Sequence, residues 1–464
     1  MSLGDDVLFL SAAELGPRIR RREISPVELT EACLDRIARL DSKLNAFAFV
    51  MTDQAREAAR TAEREIEAGR YRGPLHGIPW GAKDLLATQG TPTTWGARPC
   101  RSQRFDFDAT VVRRLRQAGA VLLGKLAMVE FAGCCDSSLQ GPGRNPWDTA
   151  RWTGGSSSGA GAAVASGLVT FAIGTETWGS ILCPSAFCGI TGLRPTYGRV
   201  SRFGGMVGSW TFDKIGPLTR SAADCRLVLS VIAGTDPDDP SSSLEPVALG
   251  PRRRSPKGTR AALIPTDFAK TKGAEREVGA RFDEALEALR GLGISVEEAK
   301  LPDLPVAEAA SVLITAEALS TFERFYRDGT VRQLRDPYAP WQPEINRAMT
   351  GADLMKAWRV RHVVQEQMAD FYGRWDVIVS PNFLSVAPPV DRDLYETLPY
   401  PDPVGAVGNA CGLPAIALPC GFGKDHLPAG FQIIGAPWDE GLLCDLGEAY
   451  QRATTFHRER PPIA

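Results

Sequence analysis

The sequence predicts an α/β protein, a mixed or largely parallel sheet with helices on both faces. Helical patterns alternate with short β-rich runs at 120–123, 169–173, 261–264, 377–380 and 415–419, and such alternation places strands between helical layers. From residue 152 to 193 the sole charge is Glu176, which marks a stretch built for the interior. The chain can enclose it: 464 residues, 44% hydrophobic and 23% charged, bury a large core without disulfides or metals. Length alone gives a prior of roughly three domains of about 150 residues.

The elements follow in order. Ser11 with Glu14 and Ser25 with Glu28 both have capping-box spacing, the second with Pro26 at the first helical position, so two helices open the chain. Residues 51–69 continue as a charged Ala/Glu/Arg helix, and 111–118 read as another. A Gly/Ser loop at 154–159 precedes a small-residue helix over 160–167, a strand over 168–173 and a second Gly/Ser-bearing loop around Ser180. The segment 235–258, rich in Pro, Ser and charge, reads as a surface connector. Around it the chain divides into N-terminal helices (8–70), a central core (71–235), the connector proper (236–258) and a C-terminal part (259–464).

Composition excludes several functions. Lys plus Arg is 53 and Asp plus Glu 55, a net charge of −2, which argues against a nucleic-acid or anionic-membrane surface. Residues 152–175 include six Gly, four Ser and three Thr, far too polar for a membrane span. Asp5 and Asp6 stand where a signal peptide carries basic residues, and the apolar run at 7–10 is short, so a cytoplasmic location is expected. Ten scattered Cys fit reduced thiols. Cys134 with Cys135 and Cys183 with Cys188 suggest a metal at first sight, but Cys-x-x-Cys is absent and the four His lie far apart. No metal site is expected.

Chemistry concentrates in three places. In Gly77-Ile-Pro-Trp-Gly-Ala-Lys83-Asp84 a lysine follows an apolar run; desolvated, it could serve as a base near neutral pH. Read alone, it better fits a solvent-facing lysine at a strand end beside Asp84. Gly154-Gly155-Ser156-Ser157-Ser158-Gly159 opens a helix but lacks the Lys-Ser/Thr of a phosphate loop. Thr175-Glu-Thr-Trp-Gly-Ser180 presents a serine after glycine in a tight turn, suited to a nucleophile beside backbone N–H donors. Gly-Ser turns are common, so this one alone decides little. Of the four His, only His76 lies near a motif, and it reads as a structural hydrogen-bonder.

In this order and spacing the three segments resemble the amidase signature family. The stretch from Gly154 through GTETWGSILCPSAFCGITGLRPTYGRVS resembles the family signature nearly end to end, and GPLHGIPWGAKD its lysine motif. LNAF, RNPWD, DKIGPLTRS, NACGLPAIALPCGF and LPAGFQIIG extend the resemblance along the chain. It implies a single domain over 1–464, an α/β/α sandwich around a mixed sheet of about eleven strands. It also implies a Ser-Ser-Lys triad: Ser180 as the acylated nucleophile, Ser156 after a cis Gly155–Ser156 peptide as proton relay, and Lys83 as base. Backbone N–H groups of 177–180, hence Thr177, Trp178 and Gly179, would form the oxyanion and substrate-binding turn. No cofactor is implied, and a homodimer is compatible with it.

Departures from the family pattern shape the expected substrate. Where the family usually reads Asp-x-Gly-Gly-Ser-x-Arg, this chain reads Glu176-Thr-Trp178-Gly-Ser180-Ile-Leu182, and Thr153 and Ser158 replace a usual Pro and Gly. Trp178 walls or narrows the cleft, and Leu182 removes a guanidinium that would partner an anionic substrate. With Phe131, Cys134, Cys135 and Phe187 nearby in sequence, this predicts a small-molecule amide or carbamate substrate, neutral and hydrophobic or aromatic. Anilides, aryl carbamates (urethanes) and esters are the candidates. The alternative is the glutaminase-type component of a tRNA-dependent amidotransferase, its A chain, acting with partner subunits; a silent scaffold is a third. Phe322, Phe325, Tyr326, Trp341 and Trp358 could line an aromatic pocket, but helix packing explains them better.

Overall fold

The computed structural model describes residues 4–133, 137–249, 255–337, 339–341, 344, 348–392, 394–400 and 402–463. Its strands are β1 (Phe47–Val50), β2 (Pro79–Lys83), β3 (Val121–Leu126), β4 (Phe171–Glu176), β5 (Thr191–Arg194), β6 (Lys214–Thr219), β7 (Arg260–Leu263), β8 (Ser295–Glu298), β9 (Val377–Pro381), β10 (Ala415–Phe422) and β11 (Pro428–Gly435). They form one eleven-stranded mixed sheet in the order β1-β3-β2-β4-β6-β5-β10-β11-β9-β7-β8. Strands β3, β2 and β4 are parallel, as are β9, β7 and β8; the centre from β4 to β9 is antiparallel throughout. The fold is an α/β/α sandwich, and parallel pairing is confined to its flanks.

Side-chain alternation along β11 locates the two helical layers. Phe431 meets Tyr450 at 4.9 Å and Phe282 at 6.4 Å, facing helices Glu440–Ala453 and Arg276–Gly291. Its neighbour Gly430 faces the opposite layer, where a Cβ would stand 3.2 Å from Ala186 in helix Leu182–Cys188. That layer carries the Gly/Ser segment.

Local chemistry explains several element starts. Ser11 caps helix Ala12–Arg20 in a reciprocal box with Glu14. Ser25 caps helix Pro26–Leu44 through the N–H groups of Val27 and Glu28 without a reciprocal box, and its hydroxyl donates to Glu63 of helix Thr52–Glu67. The small-residue helix begins earlier than its pattern suggests, at Ser158–Ala165. A Cβ on Gly159 would lie 2.2 Å from the Ala46 carbonyl oxygen, so close backbone approach selects glycine there. Strand β4 starts later than expected, since Gly167 (φ 69°) ends the helix and Leu168 N–H returns to Ala163. Within the connector, Asp236 and Asp239 are buried, taking Ser201 Oγ at 2.6 Å and Arg202 N–H at 2.7 Å. These carboxylates pin a segment whose composition suggested only a surface course. No described helix is long and apolar enough to cross a membrane.

Candidate active site

Lys83 ends a strand with no exposed position. Its Nζ donates to Ser156 Oγ at 2.7 Å and to Thr175 Oγ1 at 2.9 Å, and the side chain is fully buried. Asp84 turns away to pair with Lys125, 3.2 Å from its Nζ, so the solvent-facing alternative for Lys83 is overturned. Burial pulls the Lys83 pKa down to about 7, while the carboxylates of Asp213 and Glu176 work in the opposite direction. A lysine so placed is substantially neutral at neutral pH.

The Gly/Ser loop holds the partner hydroxyl. The Gly155–Ser156 peptide is cis, Ser156 is 1% exposed, and its carbonyl accepts the Val129 N–H at 3.1 Å. Gly154 adopts φ 84°, and a Cβ there would lie 2.7 Å from the Pro184 backbone. The loop thus rests on the first turn of helix Leu182–Cys188, beside the serine-bearing turn.

That turn is where the buried segment surfaces. From Ser156 to Cys188 only Thr177, Trp178 and Gly179 are not buried, and Ser180 follows at 8% exposure. Glu176, wholly buried, braces the turn: its Oε2 accepts the N–H groups of Ile181 (2.9 Å) and Leu182 (3.0 Å), and its Oε1 accepts Arg194 Nη1 at 2.7 Å. Thr177 Oγ1 donates to Asp213 Oδ1, and Gly179 takes φ 88°. Among the described residues, no hydrogen bond is donated by the N–H of Trp178, Gly179 or Ser180. Three successive backbone donors beside Ser180 are therefore left unengaged by described protein acceptors.

Some expectations need revision. The Leu182 side chain, 4% exposed, packs into the main core, so it offers the substrate little surface. A guanidinium also stands behind the turn, supplied by Arg194 of β5 and engaged with Glu176. Phe187 belongs to a satellite cluster, 4.6 Å from Phe383 and 6.2 Å from Trp152. Cys134 and Cys135 lie outside the described residues. The Trp178 indole lies against helix Gly405–Ala410, where a Cβ on Gly405 would be 2.6 Å from Nε1. His76 is structural: its Nδ1 accepts the Arg72 N–H at 3.1 Å and its Nε2 lies 3.2 Å from Glu65. Among the described residues no group of His, Cys, Asp or Glu could hold a metal ion.

The fold joins in one wall aromatic residues whose pairing the sequence does not show. Phe131 stacks on Phe322 at 4.7 Å and meets Phe325 at 5.1 Å and Trp95 at 6.2 Å. The wall adjoins the site: Phe322 comes within 4.0 Å of where a Gly208 Cβ would stand, and the Gly208 N–H is held by Asp213, the partner of Thr177. Phe322 and Phe325 lie some 190 residues beyond Phe131, so only the fold reveals the pairing. Trp341, 64% exposed, and Trp358, 37% exposed, pack less closely than their sequence suggested.

Comparison with known proteins shows the family and the fold. The family model described as Amidase matches residues 28–444. The chain is 38% identical to the A chain of the glutamyl-tRNA(Gln) amidotransferase of Moorella thermoacetica, covering 99% of both chains. It is likewise 38% identical to a putative amidase, AmiD, of Mycobacterium tuberculosis, over 99% of this chain and 97% of that one. Among solved structures, the native peptide amidase of Stenotrophomonas maltophilia superposes with a TM-score of 0.85 at 32% identity over 98% of each chain. A bacterial aryl acylamidase of the amidase signature family superposes with 0.86 at 25% identity, over 98% of this chain and 99% of that one. This chain belongs to the amidase signature family. It is an amidohydrolase, an enzyme that cleaves carbon–nitrogen bonds other than peptide bonds.

Proposed function

We propose that this enzyme hydrolyses neutral amides with hydrophobic or aromatic acyl or amine groups, and by the same chemistry aryl carbamates and esters, through an acyl-enzyme on Ser180. One observation carries the mechanism: a buried Lys83 whose Nζ sits 2.7 Å from Ser156 Oγ. Neutral Lys83 takes the Ser156 proton, Ser156 takes that of Ser180, and Ser180 Oγ attacks the carbonyl carbon. The N–H groups of residues 177–180 receive the oxyanion. The tetrahedral intermediate collapses with cleavage of the C–N bond, and the proton returns to the departing nitrogen. Water then attacks the ester, releasing the acid and restoring the Ser180 hydroxyl. No cofactor enters any step.

The preference for neutral substrates rests on the walls. Trp178 and Phe131, the latter backed by the buried Phe322, supply apolar surface, and Lys83, Lys214 and Arg194 are already bonded to Ser156, Asn409 and Glu176. No nucleic acid or membrane enters this reading, which places the enzyme in the cytoplasm, as a monomer or homodimer. Comparing kcat/KM on a neutral anilide with that on its carboxylated analogue tests it, and preference for the anion would overturn it.

The similarity to amidotransferase A chains supports a second reading, in which the site releases ammonia from glutamine for a partner. Glutaminase activity exceeding anilide hydrolysis, with co-purifying partner proteins, would establish that reading instead.

A further inference from the structure

Lys214 opens β6 beside the serine-bearing turn and is 2% exposed. Its Nζ donates to Asn409 Oδ1 at 2.7 Å and to the Thr177 carbonyl oxygen at 3.4 Å. Asn409 Nδ2 in turn donates to the Gly405 carbonyl at 2.9 Å, in the helix against which the Trp178 indole lies. One Nζ position therefore touches both the backbone of the turn and the support of its largest side chain.

Peptide geometry gives the contact a direction. The only cis bond among the described residues is Gly155–Ser156, so the Thr177–Trp178 peptide is trans. In a trans peptide the C=O and the following N–H point in opposite directions. A Thr177 carbonyl drawn towards Lys214 obliges the Trp178 N–H to point away from it, and no protein acceptor takes that N–H among the described residues. A rotated peptide would instead present a carbonyl oxygen, which repels an oxyanion. The bulky Trp178 must hold this backbone orientation, and Lys214 with Asn409 provides a clamp on both its sides.

We propose that Lys214 is a positioning residue for the reaction: through the Thr177 carbonyl and Asn409 it fixes the Trp178 N–H as an oxyanion donor. This rests on the Ser180 acyl-enzyme reading. The role predicts a loss specific to the transition state, because a misdirected donor weakens oxyanion binding and leaves the ground-state complex intact.

Lys214→Met, which keeps the volume and removes the donor, is compared with Lys214→Gln, which keeps a shorter donor, on a neutral anilide, with Ser180→Ala alongside. The Met variant is expected to lose roughly 10²–10³-fold in kcat with KM within about twofold, and with the acid limb of the pH profile unmoved. The Gln variant is expected to lie between Met and the parent; should the Met variant fail to fold, a kcat loss in the folded Gln variant with KM within about twofold supports the role, and a parental kcat in it overturns the role. A parental kcat in the Met variant, a loss confined to KM, a shifted acid limb, or a Gln variant at or below the Met level would each overturn the role. If Ser180→Ala is inactive while Lys214→Met runs at the parental rate, the positioning role alone falls. If Ser180→Ala retains activity, the acyl-enzyme reading falls and takes this role with it.

Discussion

Lys83 Nζ and Ser156 Oγ lie 2.7 Å apart in a pocket where both side chains are almost wholly shielded from water. The low-polarity surroundings disfavour the ammonium and hold the lysine near pKa 7. Proton transfer from the hydroxyl then becomes feasible at neutral pH.

This relationship sets the pH profile. Below about 7 Lys83 is protonated and cannot accept the Ser156 proton, so kcat/KM should fall about tenfold per pH unit on the acid side. The limb should disappear, leaving residual activity, in Lys83→Met. Stability moves in the same direction. The folded pKa lies below the ordinary 10.5, so between about 7 and 10.5 the unfolded chain binds the extra proton and this group's contribution to stability rises with pH. Denaturant titrations across that window should lose the slope in Lys83→Met.

The two serines should separate by magnitude. Ser180→Ala removes the atom that becomes acylated and should lower kcat by roughly 10⁵–10⁶-fold. Ser156→Ala removes a relay, a general acid–base loss of about 10²–10⁴-fold. Steady-state rates on one anilide check both, and equal losses would count against distinct roles.

Glu176 and Arg194 form a buried pair behind the turn, with the Glu176 carboxylate well supplied with donors and held below the usual range despite its burial. Arg194→Met should cost about 3–5 kcal/mol, since it strands a buried charge, and adding Glu176→Gln should cost less than the sum of the two singles. Urea denaturation of the singles and the double variant measures this coupling.

Trp178 should act on selectivity more than on rate. Trp178→Gly opens the wall beside Gly405 and should raise kcat/KM for bulky anilides relative to small amides by about tenfold or more. An unchanged ratio would remove Trp178 from the cleft wall.

Much of this site was legible because its motifs are local. Gly154–Gly155–Ser156, Lys83 and Ser180 each sit in a short pattern whose residue types match their surroundings. What escaped lies in pairings across the fold. Lys214 meets Asn409 across 195 residues, and Phe131 meets Phe322 through a loop turn in which Phe131 itself takes φ 50°. Periodicity carries no trace of such contacts. The start of β4 was misplaced for a different reason: Leu168 and Val169 are apolar enough for a strand, but Gly167 commits them to closing a helix. Leu182 showed the reverse error, an apolar residue beside the nucleophile in sequence whose side chain belongs to the core.

The most direct test of the central claim is to react the protein with a fluorophosphonate, locate the adduct by peptide mass spectrometry, and follow anilide hydrolysis in the same samples. A single adduct on Ser180, stoichiometric with loss of activity and slowed in Lys83→Met, is the predicted result. An inactivating adduct on another residue, or full activity with Ser180 modified, would contradict it.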